Sequence, residues 1–501
     1  MALENNSKQL ERKGNDMFNR TKSALKNALR SWLNLTSANG LQIQIGELLD
    51  FEANAFVNEI WFRGDSYELG QLYQSIPDYK YSFWGAVSTK GLEIRKIHTG
   101  LPKIIVNTLT NICVDDMQDV KIENIGKENT WAEIERENDF KNLVKKAVRK
   151  ALVTGDGAFK ISLDTDVSQF PIIEFYEADR IEVKRERGRV KEIRFKKAFN
   201  KQGVSYVLKE CYGYGYIEYK LYDAYDNEIG LDKLEKTKDL QPVYFDKSLI
   251  MAEYLSFFSS DKWEGRGQSI FDSKRDNFDA LDEAWSQWID ALRANRTKTY
   301  IPEDLLPRDA TTGAIKHGNP FDNRFIATGT PMQENATSKI ETQNGTIDCN
   351  SYMQTYITAL DLCLQGLISP STLGIDTKKL DNAEAQREKE KTTLYTRQTI
   401  IYALQYCVEG LIDKVFKTMN TMEKTALEDT KAEVTFGEYA NPSFESQIET
   451  VGKAKTQGVM STESIVEELY GDSKSDDWKA EEVRRIKNEQ GIAEVEEPVM
   501  V

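Results

Sequence analysis

The stretch 269–295, SIFDSKRDNFDALDEAWSQWIDALRAN, carries the strongest pattern in the chain. Its large apolar residues recur at steps of three and four, which predicts one face of an α-helix formed by Phe278, Leu281, Trp285, Trp288 and Leu292. A helix with an apolar face of this length needs a second helix to cover it. The fold therefore depends on a partner helix elsewhere in the chain.

That partner is predicted at residues 346–366, where apolar residues repeat at the same spacing and include Met353, Tyr356 and Leu360. The two helices can pack antiparallel as a hairpin. The segment between them, 296–345, contains four prolines, many Thr and Asn residues, and two β-prone pieces. These pieces centre on Tyr300 and Ile301, and on Phe325 and Ile326. We therefore expect a small α/β insertion at the tip of the hairpin.

The flanking segments predict an α+β fold that is mainly α. Residues 41–164 are mainly helical by their spacing, and 172–229 alternate with period two, which is typical of an antiparallel sheet. A polar loop at 367–381 leads into a helix over about 382–422, which would span roughly 60 Å. A strand is predicted at 432–438, and the charged segment 440–501 is predicted to be helical.

Composition narrows the class of protein. A length of 501 residues with 40% hydrophobic residues predicts about two to four globular domains. The formal charge of −15 disfavours a general nucleic-acid coat protein, because the chain as a whole repels polyanions. The five cysteines are scattered, which favours a reducing compartment. Neither a signal peptide nor a membrane span is expected from the sequence.

Motifs for catalysis are missing from the sequence. The chain has two histidines, His98 and His317, and contains no HExxH, CxxC or GxSxG motif. The glycine clusters 155–157 and 265–267 lack the spacing of a phosphate-binding loop. Acidic doublets at 115–116, 476–477 and 481–482 could in principle hold the magnesium ions of a nuclease. Such doublets are more commonly solvated charges on the protein surface. We expect no enzyme activity, no cofactor and no metal.

Several strings in the chain resemble the portal proteins of tailed bacteriophages, in particular the group typical of phages that infect Gram-positive bacteria. The similarity lies in their order and spacing over about residues 55–490 rather than in any single motif. The strings are EIWFRGDS (59–66), IRKIHTGLP (94–102), GDGAFK (155–160), GRGQSIF (265–271) and NAEAQRE (382–388).

The resemblance implies a portal fold assembled as a ring of twelve subunits at one vertex of the capsid, where double-stranded DNA is packaged and released without sequence specificity. It also implies four regions. These are a wing (1–268, with 382–439), a stem (269–295 and 346–366), a clip (296–345) and a crown (440–501), with a tunnel loop at 367–381. The implied partners are further copies of the chain, the terminase, the major capsid and scaffold proteins, and a head-to-tail connector. The protein would assemble in the host cytoplasm and reside in the virion.

By position, the resemblance assigns DNA-facing roles in the tunnel loop to Lys378, Lys379, Ser371 and Thr372. Solvated loop charge is the alternative reading of the two lysines. Trp285 and Trp288 are interpreted as helix packing, because the bases of a duplex are not free to stack. The clip pairs at 300–301 and 325–326 are interpreted as interface residues. A phage structural or scaffold oligomer that encloses no DNA channel remains the alternative function, and the sequence identifies neither host nor tail type.

Overall fold

The architecture is that of a computed structural model, which describes residues 47–87, 94–295, 297–302, 308–313, 325–328, 340–375, 383–437, 444–470 and 476–489. The chain divides into two units, residues 1–436 and 437–501. The first unit contains both helices and antiparallel sheets, which confirms the α+β prediction at that level. Within the described residues, no helix combines the length and apolar character that a bilayer crossing requires.

Among the described residues up to 154, the α-helices are α1 (Phe51–Arg63), α2 (Ser66–Ser75), α3 (Leu101–Val114), α4 (Ile125–Glu137) and α5 (Phe140–Thr154). Short polar side chains begin three of them by accepting hydrogen bonds from first-turn amides; these are Asp50, Asp65 and Asn124. Helix α3 begins at Leu101–Pro102, where the missing N–H of proline costs nothing. The apolar faces of these helices contribute to one continuous core.

Two antiparallel sheets pack with these helices. The smaller has the order β10 (Ala252–Ser256), β2 (Asp156–Ser162), β3 (Ile172–Glu177). The larger has the order β4 (Ile181–Glu186), β5 (Arg189–Lys201), β6 (Val204–Gly213), β7 (Tyr216–Tyr222), β8 (Glu228–Ile229), and β9 (Val243–Tyr244) also pairs with β7. The antiparallel sheet predicted from residues 172–229 is confirmed. Strand β2 has no counterpart in the sequence pattern, because six of its seven residues are buried and show no alternation.

The predicted hairpin is present as α6 (Arg275–Ala294) and α7 (Cys349–Leu364), which pack against each other. Helix α6 begins six residues later than the quoted stretch, because the carboxylate of Asp272 accepts a hydrogen bond from the Ser269 amide and holds a turn there. The connecting segment contributes β11 (Lys298–Pro302), β12 (Phe325–Thr328) and β13 (Glu341–Gln343). Strand β11 is central, parallel to β12 and antiparallel to β13.

The longest helix, α8 (Ala383–Glu423), has 41 residues, so it spans about 60 Å as predicted. Its inner side is fully buried from Ile400 to Val415 at helical spacing. The strand predicted at 432–438 is shorter than expected. It consists of β14 (Ala432–Glu433), which pairs antiparallel with β1 (Lys121–Ile122), followed by one isolated pair between Phe436 and Met117.

The second unit contains the helices α9 (Phe444–Thr456), α10 (Thr462–Tyr470) and α11 (Asp476–Glu489). The prediction of helices in this segment is confirmed. Ser461 caps α10 by accepting a hydrogen bond from the Ser464 amide at 3.1 Å. An edge-to-face contact between Tyr470 and Trp478, with ring centroids 5.0 Å apart, joins α10 to α11.

Candidate functional site

The seam between α6 and α7 is aromatic in its middle. The ring of Trp285 lies 5.6 Å from that of Tyr356, and the ring of Trp288 stacks on Tyr352 at 6.4 Å with an angle of 11° between the planes. Residues later in α6 therefore meet residues earlier in α7, so the two helices run antiparallel. Aromatic pairs of this kind add about 0.5–1.5 kcal/mol beyond the area that they bury.

The eight residues predicted to pack the hairpin differ in burial. Three are fully buried near its base: Phe278, Leu281 and Leu360. Trp285, Trp288 and Tyr356 are half-buried in the aromatic middle. Nearer the tip, Leu292 and Met353 remain 43% and 41% exposed, so the structure places these two outside the buried seam. The hairpin is thus well packed at its base and open toward its tip.

The base of α6 is fastened to the segment before α3 by a buried carboxylate. Asp282, which is fully buried, accepts hydrogen bonds from Trp84 Nε1 (3.1 Å), from the amide and hydroxyl of Thr99 (both 2.9 Å), and from His98 Nδ1 (2.7 Å). This contact makes His98 a structural link between the two segments.

Two further residues on the same face of α6 extend this anchor. Asp279 accepts hydrogen bonds from the amides of Phe83 (2.8 Å) and Trp84 (3.1 Å), and Ser286 Oγ accepts one from the Ile97 amide (2.9 Å). Burial raises the pKa of Asp279 to about 6, although the two amide donors act in the opposite direction. Polar residues at positions 279, 282 and 286 on an apolar helix face are the sequence signal for such an anchor.

The two glycine clusters of the sequence meet in a second buried polar centre. Asp156 accepts two hydrogen bonds from Arg266, at Nε (2.8 Å) and Nη2 (2.9 Å), one from the Tyr254 hydroxyl (2.7 Å) and one from the Gly267 amide (2.9 Å). Burial lowers the pKa of Arg266, but the hydrogen bonds and charge of Asp156 outweigh it, so this pKa is raised. The centre fixes the loop that leads into α6 against β2.

Glycine is required on both sides of this centre. A Cβ atom on Gly267 would overlap the carbonyl oxygen of Gly155, and Gly155 itself has a φ of 107°, which other residues rarely adopt. The strings GDGAFK and GRGQSIF therefore serve one contact. Both strings are visible in the sequence, but no local pattern indicates that they lie against each other.

The described part of the predicted tunnel loop is tied to α8. The Ser369 amide donates to Thr393 Oγ1 (2.8 Å), and the hydroxyl of Thr372 lies 3.0 Å from the same oxygen. Ser371 contacts Ser369 through their hydroxyls at 2.7 Å. The predicted DNA-facing residues Ser371 and Thr372 thus hold the first part of the loop in place, whereas Lys378 and Lys379 lie outside the described residues.

The four predicted clip residues are brought together by the sheet at the hairpin tip. Tyr300 in β11 is in register with Ile326 in β12, and it also pairs with Glu341 of β13 on the other side. Ile301 and Phe325 take neighbouring positions in the same two strands. The register therefore groups these residues, and their interface role stays a prediction.

Two of the three acidic doublets that a nuclease would need, those at 115–116 and 481–482, are engaged with basic residues. Asp115 pairs with Lys145 at 2.8 Å and Asp116 with Arg397 at 3.0 Å. In the second unit, both Glu481 and Glu482 pair with Arg485. Across the part of the chain that the structure describes, no group of three or more His, Cys, Asp or Glu side chains is placed to hold a metal ion.

Comparisons with known proteins give little direct information. No protein-family model matches the chain, and no curated protein sequence matches it. Among solved structures, one chain described as "Neck of native GTA particle computed with C12 symmetry" aligns with a TM-score of 0.39 at 11% identity. The alignment covers 74% of this chain and 90% of that one. A TM-score at this level does not establish a shared fold.

Proposed function

We propose that the chain is the portal protein of a tailed bacteriophage: a non-enzymatic subunit of a ring, expected to have twelve copies, that conducts double-stranded DNA through one capsid vertex. In this role it would serve packaging with the terminase, retention and ejection of the genome, and attachment of the head-to-tail connector. The order of the strings quoted above supports the family. The protein would be part of the virion, in contact with the major capsid and scaffold proteins.

The observation that carries the proposal is the antiparallel hairpin of α6 and α7 with a three-stranded sheet inserted at its tip. In the proposed ring, the hairpins form the stem, the sheet forms the clip, and the 41-residue α8 connects the loop after α7 to the core of the first unit. The arrangement was expected from periodicity and breaker residues independently of the resemblance.

The chemistry of α6 suits a channel that does not grip DNA. Its 20 residues span about 30 Å, a length over which duplex DNA presents about 18 phosphates. Neutralising six to ten phosphates already gives strong, salt-dependent binding, which would trap the DNA. From Asp272 to Lys298 the chain has six acids and five bases, so this segment is nearly neutral.

Three of those six acids are committed to the interior of the subunit. Asp279 and Asp282 form the anchor described above, and Asp272 accepts hydrogen bonds from the side chains of Asn54 and Asn58, each at 2.8 Å. The remaining acids, Asp276, Glu283 and Asp290, are spaced about two turns apart along α6. We infer that weak DNA contact is left to the tunnel loop, where Lys378 and Lys379 of every copy would touch the backbone.

The clip is proposed to bind the terminase during packaging and the connector afterwards. Replacing residues 297–344 with a short Gly-Ser linker should abolish terminase binding in a pull-down, while the sheets and core of the first unit keep their fold by circular dichroism. A variant that is folded and still binds terminase would refute this assignment of the clip.

Native mass spectrometry of the purified full chain tests the proposal as a whole. The expected result is a closed assembly of one defined subunit number, twelve by the family resemblance. A stable monomer or dimer at micromolar concentration would contradict the proposed function. Plasmid cleavage that depends on magnesium would favour the nuclease alternative instead.

A further inference from the structure

The outer face of α8 carries a row of exposed tyrosines. Tyr395, Tyr402 and Tyr406 are 71%, 74% and 75% exposed, and their spacing of seven and four residues places them on one side of the helix. The row extends over about 16 Å, and Leu394 adds a partly exposed apolar side chain at one end. We call these four residues the tyrosine face.

This face is short of charge compared with the rest of the chain. Between residues 392 and 408 the sequence has one charged residue, Arg397, whereas the overall charged fraction of 29% predicts about five in such a stretch. Arg397 is buried and is bound to the Ile112 carbonyl (2.9 Å) and to Asp116. A helix side that stays in water normally carries charged residues. Exposed tyrosines without charges are typical of the centre of a protein–protein interface.

Tyr402 and Tyr406 also form one wall of a groove of about 910 Å³. Arg185, near the end of β4, and Arg187, in the turn between β4 and β5, line the same groove. Arg185 is held in place, since its Nε donates to the Gly265 carbonyl at 2.9 Å. Tyrosine and arginine side chains therefore line the same groove.

The turn is locally basic on an acidic protein. Residues 184–191 include five basic residues and one acid, against a charge of −15 for the whole chain. In the described part of the chain, neither Arg187 nor Arg189 takes part in an ion pair, whereas Lys184 and Lys191 pair with Glu192 and Glu186. Because the chain as a whole is acidic, an acidic surface of a second copy would be attracted to this basic turn.

We propose that the tyrosine face and the adjoining groove form a docking surface for a second copy of this chain, which contacts it with a different and acidic surface. The inference rests on the proposed ring and names one side of its subunit contact. Two copies that met through the same face would place arginine against arginine, which disfavours a two-fold dimer. A contact between two different surfaces is the kind that generates a ring.

The available area agrees with such a contact. An aromatic side chain buries about 150–250 Å² when covered, so three tyrosines at about three-quarters exposure offer roughly 350–550 Å². A standard interface buries about 800 Å² on each partner. The tyrosine face would therefore supply about half of one side, with the groove and its arginines supplying the rest. DNA fits less well, because two unpaired arginines fall short of the six to ten phosphate contacts of a strong binder.

The test compares full-length wild type with Tyr402→Ser/Tyr406→Ser and with Arg187→Glu, by native mass spectrometry over a dilution series. Each variant should raise the concentration for half-assembly at least tenfold. The control is Tyr225→Ser, at an 87% exposed tyrosine in the turn before β8, which should assemble like wild type. All substituted side chains are exposed, so circular dichroism should show unchanged folding.

The possible outcomes separate this inference from the proposed function. A wild-type ring that the double serine variant forms equally well overturns the docking surface and leaves the proposed function standing. A wild type that is monomeric throughout overturns both. A labelled 30-base-pair duplex serves as a further probe: if Arg187→Glu weakens duplex binding and leaves assembly unchanged, the surface binds nucleic acid and the inference is wrong.

Discussion

Replacing Asp156 with alanine leaves the buried guanidinium of Arg266 without its counter-ion. In the native structure four hydrogen bonds converge on this fully buried carboxylate, and two of them form a bidentate pair with Arg266. Alanine removes all four acceptor interactions at once. The Arg266 side chain is 14% exposed and keeps a hydrogen bond to the Ala178 carbonyl at 2.9 Å, but it has lost its charge partner.

The size of the effect follows from the burial. Removing one partner of a buried ion pair costs about 3–5 kcal/mol, because the other charge stays desolvated. The entropy of unfolding is about 2.1 cal/mol/K per residue, which gives about 0.9 kcal/mol/K for the 436 residues of the first unit. Asp156→Ala should therefore lower the melting temperature of that unit by about 3–5 °C.

Differential scanning calorimetry of the full chain measures this shift, and two variants calibrate it. Glu186→Ala removes an ion pair with Lys191 that is exposed to solvent, and it should leave the melting temperature unchanged. Asp156→Ala/Arg266→Met removes both buried charges, so it should melt above the single variant. If Asp156→Ala melts with wild type, or if the double variant melts below the single one, the buried pair does not have the role assigned here.

Three further predictions concern the hairpin and its supports. Trp288→Ala should lower the free energy of unfolding by about 2–3 kcal/mol, which is less than the loss at a fully buried tryptophan. The same variant should weaken ring assembly in native mass spectrometry before it blocks DNA passage. Intact rings that do not pass DNA would contradict this order. Because the pKa of Asp279 is raised to about 6, its contribution to stability is present below pH 4 and is lost as the pH rises through 6. Asp279→Asn should remove up to about 3 kcal/mol of this pH dependence in thermal melts at pH 4 and pH 7, and an unchanged dependence would contradict the assignment. Gly267→Ala should have a lower melting temperature than Asp156→Ala, because the added Cβ forces the backbone away from Gly155. The control Gly452→Ala lies on an open side of its helix and should melt at or above the wild-type temperature. Equal melting temperatures for Gly267→Ala and Gly452→Ala would refute the close approach of Gly267 to Gly155.

Local patterns were enough to predict the hairpin. The three-and-four spacing from Phe278 to Leu292 indicates a single helix face, and the same spacing around Tyr356 indicates a partner helix, so the antiparallel packing of the two helices was predicted from sequence. The particular contact between Trp285 and Tyr356 comes from the structure. Leu292 and Met353 fit the same spacing, but they remain exposed in the single subunit. The spacing predicts which side of a helix is apolar, and it does not predict where along the helix the contact with the partner helix ends.

The polar centres could not be predicted in the same way. Asp282 and His98 are separated by 184 residues, and Asp156 and Arg266 by 110, so their pairing depends on how the helices and sheets pack. The acids on the apolar face of α6 are a local signal of a buried anchor that was not used in the sequence analysis, and nothing local identifies Trp84 or Thr99 as the donors. Strand β2 could not be predicted either, because a strand that is buried on both faces lacks the alternation of apolar and polar residues by which strands are recognised in a sequence.

The central claim is that many copies of this chain enclose a bore through which duplex DNA can slide. Electron microscopy of the purified full chain, viewed down the symmetry axis of the particle, tests it most directly. We predict a closed ring with an open centre wide enough for duplex DNA and with the hairpins around it. Particles whose centre is filled by protein, or a sample that contains single chains alone, would contradict it.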